Sequence, residues 1–161
     1  PTIKKVELSE KLPDEVNVHQ NAVIFFLSDF LNQILKNESQ QVALYQEIKF
    51  FKQEILDKKM HAHYFFLIRM LQFFGISPLV SEEKFLNIEK GIFQEEIAQK
   101  EVDEELSFLW KKILDKEIEE DFIIEKKSRK PLLDSILQYY KTHFPEFYAP
   151  KSLPVILEVF E

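Results

Sequence analysis

The chain has 161 residues, 45% of them hydrophobic, and a formal net charge of −7. Length and apolar content fit one domain with a real core and exclude a disordered tail. With no Cys there are no disulfides or thiolate metal sites, and with only 2 Gly there is no Gly-rich phosphate loop.

Residues 1–16 read as an extended lead-in, with Ile3, Val6 and Leu8 apolar and Pro13 as punctuation. The chain begins at Pro1 rather than Met, so it is expected to be processed or cut from something longer. A first helix is predicted from about residue 17 to 37, because Val23, Leu27, Phe30, Leu31, Ile34 and Leu35 recur at helical spacing. Ser39 is placed to cap a second, ending near Leu56, with Leu44, Ile48, Phe51 and Ile55 as its stripe. The text MHAHYFFLIRMLQFFG is apolar nearly all round, which predicts a central, mostly buried helix. Gly75 is placed to end it in a left-handed cap, and Pro78 stops continuation. At about 100° per residue its one wet stripe is Lys58, Ala62, Phe65, Arg69 and Gln72.

A change of rhythm follows in FLNIEKGIFQEE, where two short β-capable runs flank Glu89-Lys90-Gly91. A hairpin is predicted near residues 85–94. Leu106, Leu109, Trp110 and Ile113 mark a helix at about 103–115, and the charged run DKEIEEDF reads as a connection or a short helix. A further helix spans about 128–143, turning Leu132, Leu133, Ile136, Leu137 and Tyr140 inward. Pro145 and Pro150 bound a turn, and Ser152 is placed to cap a final helix whose first turn tolerates Pro154. Phe144, Phe147 and Tyr148 read as a structural clasp pinning this last helix to the one before it.

Charge is uneven. Residues 79–121 hold 14 acidic and 6 basic side chains, a balance of −8, and the rest hold 14 acidic and 15 basic, a balance of +1. The acidic whole argues against a duplex-binding domain working alone. A basic surface is predicted over residues 125–151 from Lys126, Lys127, Arg129, Lys130, Lys141 and Lys151. No apolar run reaches the roughly 18 residues of a membrane span, and a cytoplasmic location is expected.

The motifs of catalysis are missing. His61 and His63 are two apart, which on a helix places them about 200° apart and prevents convergence on one metal. Neither HExxH nor Glu-x-x-His is present, and no Ser sits in G-x-S-x-G. No metal, cofactor or enzymatic activity is expected. Binding is better supported: Phe25 and Phe50 lie opposite their helices' core stripes, and Phe65 shares a stripe with Arg69. An apolar slot with Lys49, Lys52 and Arg69 on its rim would suit an acidic peptide ending in a hydrophobic residue.

Several segments together resemble the C-terminal helical region of the RecO family of bacterial DNA-repair proteins, in a cysteine-free form of the Bacteroidetes type. They are AVIFFLSDFLNQIL, HAHYFFLIRMLQFFGISP, the hairpin FLNIEKGIFQ and the closing ILQYYKTHFPEFYAPKSLPVILEVF, and the likeness covers residues 3–161. The resemblance implies a missing N-terminal OB-fold that carries most single-stranded DNA binding, followed by the helical domain at 17–161. It implies action with RecR, and sometimes RecF, to load RecA on strands covered by SSB, and annealing of complementary strands. It also implies binding of the acidic SSB tail, for which Lys49, Lys52, Phe65 and Arg69 are the candidate residues. The four-cysteine zinc site of many relatives has no counterpart here.

The fold expected is all-α, a bundle of about six helices with one small β-hairpin. The function expected is that of a non-catalytic interaction domain of a recombination mediator. The alternative is a stand-alone helical adaptor that binds a partner helix.

Overall fold

The computed structural model describes residues 18–34, 46, 48–53, 61–115, 122–145, 147–148 and 150–160. The predicted lead-in, the Ser39 cap and most of the charged connection after residue 115 lie outside them. Five named helices are present: α1 (Val18–Ile34), α2 (Ala62–Phe73), α3 (Glu104–Leu114), α4 (Lys126–His143) and α5 (Leu153–Phe160). Residues 48–53 are also helical. Strands β1 (Phe85–Asn87) and β2 (Ile92–Gln94) pair antiparallel, with Leu86 opposite Phe93.

A single bundle of about six helices does not form, and that expectation is corrected. The chain divides into two compact units, one drawn from residues 1–63 and 149–161, the other from Tyr64–Tyr148. The physical reason lies in the stretch after α2. Gly75 and Pro78 stop the helix, and the chain then spends residues 74–103 on turns and the hairpin. Helix α3 packs on β1 as well as on α4, so the second unit is built on a hairpin, not on helices alone.

In the first unit α1 packs against α5. Val23, Phe26, Leu27, Phe30 and Leu31 are buried on α1, and Ile48 and Phe51 are buried on residues 48–53. Within this unit the final helix is held by α1. Phe147 is buried on the Tyr140 ring, 5.4 Å between centroids, and Phe144 meets Phe74 edge-on, but Tyr148 is exposed. Ser152 does not cap α5 with its side chain. Its backbone N–H donates to the Asp29 carboxylate at 3.1 Å, while its buried hydroxyl finds no hydrogen-bond partner among the described residues.

In the second unit α2 is buried almost all round, as its sequence predicts, with Phe66, Leu67, Ile68, Met70 and Leu71 shielded from water. It ends in a Schellman motif: Ile76 N–H donates to Leu71 O and Gly75 N–H to Gln72 O, with Gly75 at φ 71°. Asp103 caps α3 by accepting the Leu106 N–H at 2.8 Å. Helix α4 starts at Lys126, earlier than predicted, and carries Pro131 on its exposed side.

Buried side chains satisfy the backbone where the hairpin meets these helices. Leu86 N–H donates to the Ser107 hydroxyl at 2.9 Å, which in turn donates to Asp103 O. The Trp110 indole N–H donates to the Ser135 hydroxyl, which donates to Leu132 O. The end of α4 grips the hairpin turn. Tyr139 O–H donates to Ile76 O at 2.6 Å, and the His143 ring, stacked 4.2 Å from Tyr139, meets Ile88 O through Nε2 at 2.6 Å. A carbonyl only accepts, so His143 Nε2 carries the proton.

Candidate functional site

The four residues proposed to hold an acidic tail fall into two pairs. Lys49 is exposed and Lys52 half-exposed beside buried Ile48 and Phe51, in the first unit. Phe65 and Arg69 are half-buried, one helical turn apart on α2, in the second. The predicted wet stripe of α2 is present in part. Phe65, Arg69 and Gln72 are the least buried positions of residues 62–72, but Ala62 is buried. Gln72 is used structurally, its amide donating to Leu114 O and so satisfying a carbonyl at the end of α3.

Three of the six side chains of the predicted basic surface have structural partners. Lys127 is shared between Glu105 at 3.3 Å and Glu125 at 3.5 Å. Its pKa is raised, first by the hydrogen bond to Glu105 and then by the charges of Glu105 and Glu125. Lys130 pairs with Asp134 one turn along α4, and the Arg129 Nε–H donates to Ile124 O. Lys126 and Lys141 are exposed on α4, and Lys151 is exposed in the other unit. Lys126, Lys127, Arg129, Lys130 and Lys141 all belong to the second unit. His61 and His63 are buried, and among the described residues no three His, Asp or Glu side chains come together as metal ligands.

A second arrangement links Phe65 to Phe122 and α3. Its ring lies 6.4 Å from that of Phe122. The Lys112 ammonium stands 5.4 Å from the Phe122 centroid and 5.1 Å from that of Phe108. Phe108 is 55% exposed and its neighbour beyond Phe122, Ile123, is 71% exposed. One cation is thus held between two phenyl faces, a geometry that attracts it to both ring quadrupoles.

No protein-family model matches the chain, and no solved structure matches it. Curated proteins do. The chain is 28% identical over 149 residues to DNA repair protein RecO of Christiangramia forsetii, covering 86% of this chain and 61% of that one. It is 25% identical over 150 residues to DNA repair protein RecO of Flavobacterium psychrophilum, covering 89% and 63%. For DNA repair protein RecO of Azobacteroides pseudotrichonymphae the figures are 28% over 155 residues, 90% and 64%. The chain is a relative of RecO. It spans less than two thirds of the length of these RecO proteins.

Sequence reasoning reached Phe65 in this RecO relative but passed over Phe108, Lys112 and Phe122. The signal for Phe108 was available. It lies about 200° from Trp110 around the helix, off the core stripe, which is the same criterion that singled out Phe25 and Phe50. Both of those are exposed, at 66% and 54%. Lys112, one turn beyond Phe108, follows from the spacing alone. Phe122 sits beyond a charged run whose path the sequence pattern does not specify.

Proposed function

We propose that the chain is the helical interaction part of a RecO-like recombination mediator in DNA repair, without catalytic activity of its own. The observation that carries this reading is the match to RecO proteins over 86–90% of the chain. In this role it works in the cytoplasm beside RecR, and RecF where present, to bring RecA onto single strands covered by SSB and to help anneal complementary strands. Strong single-strand binding is assigned to a further OB-fold domain. This chain contributes contact with the acidic SSB tail, with Arg69 and Phe65 on one unit and Lys49 and Lys52 on the other as candidates.

The test is direct binding of the chain to immobilised intact SSB, to SSB lacking its tail, and to RecR. Saturable binding to intact SSB, lost without the tail and weakened by salt, is expected. Equal binding to both SSB forms removes the tail from the reading. No binding to SSB or to RecR overturns it. Equal affinity of Arg69→Glu and the unaltered chain would remove Arg69 from the site.

A further inference from the structure

We infer that the outer face of α3 is a self-association surface, on which a second copy of the chain lays its own α3 antiparallel across a twofold axis at Phe108. The inference goes beyond the proposed function and does not rest on it. The helix is self-complementary in charge about that residue. Glu104 stands four positions before Phe108 and Lys112 four after, so the three form one ridge along the helix. Glu105 and Lys111, three before and three after, flank the ridge. In an antiparallel pair centred on Phe108, each position meets the one equally far on the other side. Lys112 then faces Glu104 of the second copy, Lys111 faces its Glu105, and symmetry makes each contact twice.

The face is open at its centre, where Phe108 is 55% exposed. Lys112 is half-buried over the Phe108 and Phe122 rings and has no carboxylate partner among the described residues. An ammonium resting on aromatic faces is partly desolvated and positioned, so a carboxylate brought to it costs little ordering. Glu104 meets Lys84 at 3.5 Å, but their side chains are 63% and 66% exposed, and an ion pair so wet gives way easily. The outer pair is more committed: Lys111 Nζ donates to Glu83 O and Glu105 pairs with Lys127. Lys112 and Glu104 therefore carry the complementarity. Seven positions out, Glu101 and Asp115, both exposed, would meet as like charges. Packing of i±4 ridges crosses the helices at about 50°, which splays those ends apart and confines the contact to about two turns. An unrelated apolar helix would use Phe108 but leave Lys112 and Glu104 unmatched, whereas a second copy answers both. A nucleic-acid strand would run against the carboxylates of the first turn.

The experiment is sedimentation equilibrium of the full chain over a concentration series. So small a contact is expected to give a reversible dimer with Kd on the order of 10 µM. Phe108→Ala and the single charge reversals Glu104→Lys and Lys112→Glu are each expected to weaken it by on the order of tenfold. Either reversal alone sets like charges against each other at both symmetric contacts. A one-to-one mixture of the two reversed chains restores opposite charges at both, so a heterodimer is expected to recover, as is the homodimer of the doubly reversed chain. These side chains are exposed or half-buried, so the variants are expected to fold, and circular dichroism checks it. A chain that stays monomeric throughout the series overturns the inference, and so does a dimer untouched by Phe108→Ala and by the reversals. Loss in both single reversals without recovery in the mixture or the double variant overturns it too. If the chain is monomeric and Phe108→Ala instead weakens binding to RecR, the face belongs to that partner, and this inference falls while the proposed function stands.

Discussion

The Tyr139 hydroxyl lies 2.9 Å from where a Cβ on Gly91 would stand. Gly91 also holds φ at 64°, a backbone conformation that L side chains rarely adopt. The tyrosine cannot simply swing away. Its hydroxyl donates to Ile76 O, and its ring lies between Trp110 at 5.5 Å and His143 at 4.2 Å. Gly91→Ala is therefore expected to cost about 2–3 kcal/mol, combining left-handed strain with disturbance of a hydrogen bond. Gly75→Ala is the control: φ is 71°, but nothing lies within 4 Å of its Cβ position, so strain alone, about 1–2 kcal/mol, is expected. Urea unfolding of both variants checks this. Equal losses would show that the Tyr139 contact adds nothing.

Alkali should unfold this protein through its buried phenols. Burial pushes the Tyr139 hydroxyl up to about 12 and that of Tyr140 well above 10.0. Burial likewise raises Tyr64, against an opposing pull from Arg129. The neutral phenols are favoured in the fold, while the unfolded chain ionises near pH 10.0. Above that pH the unfolded state holds fewer protons, so stability falls as pH rises. The contribution is complete below about pH 10 and is lost progressively towards pH 12 and beyond. Tyrosinate absorbance followed alongside circular dichroism should show these phenols ionising with unfolding. Full tyrosine titration with helicity intact would contradict it.

Much of the local structure is legible in the sequence because it rests on short-range rules. Gly75 before Pro78 specifies a helix end, Asp103 ahead of an apolar stripe specifies a start, and Glu89-Lys90-Gly91 specifies a turn. What is not legible is which elements share a core. Helices α1 and α5 are more than a hundred residues apart, and nothing in their patterns says that they pair. Around Phe65 the same limit applies. Its stripe is readable from helical spacing, but its meeting with Phe122 depends on how the chain before α4 packs.

Ser107 is a small residue with two obligations. It accepts the Leu86 N–H and donates to Asp103 O, joining β1 to the first turn of α3 while fully buried. Ser107→Ala leaves the Leu86 N–H without its acceptor in an apolar setting. A loss of about 1–3 kcal/mol is expected. Asp103→Ala removes the neighbouring cap and is expected to cost about 1 kcal/mol. The two share one hydrogen-bond network, so the double variant should lose less than the sum of the singles. Strict additivity in chemical denaturation would mean that the network is not coupled.

The end of the chain offers a prediction in which the side chain matters less than the backbone. Ser152 donates its N–H to Asp29, but its hydroxyl is buried without a hydrogen bond among the described residues. Removing a buried hydroxyl that has no partner removes an unrepaid desolvation cost. Ser152→Ala is therefore expected to be neutral or to stabilise by about 0.5 kcal/mol. Asp29→Ala instead strips the acceptor from a backbone donor at the entrance to α5, with an expected loss of about 1–2 kcal/mol. The loss should concentrate where α5 packs on α1. Amide hydrogen exchange across residues 150–160 should speed up in Asp29→Ala and stay unchanged in Ser152→Ala, with protection in α2 retained in both. Faster exchange in Ser152→Ala would mean that the hydroxyl holds the helix after all.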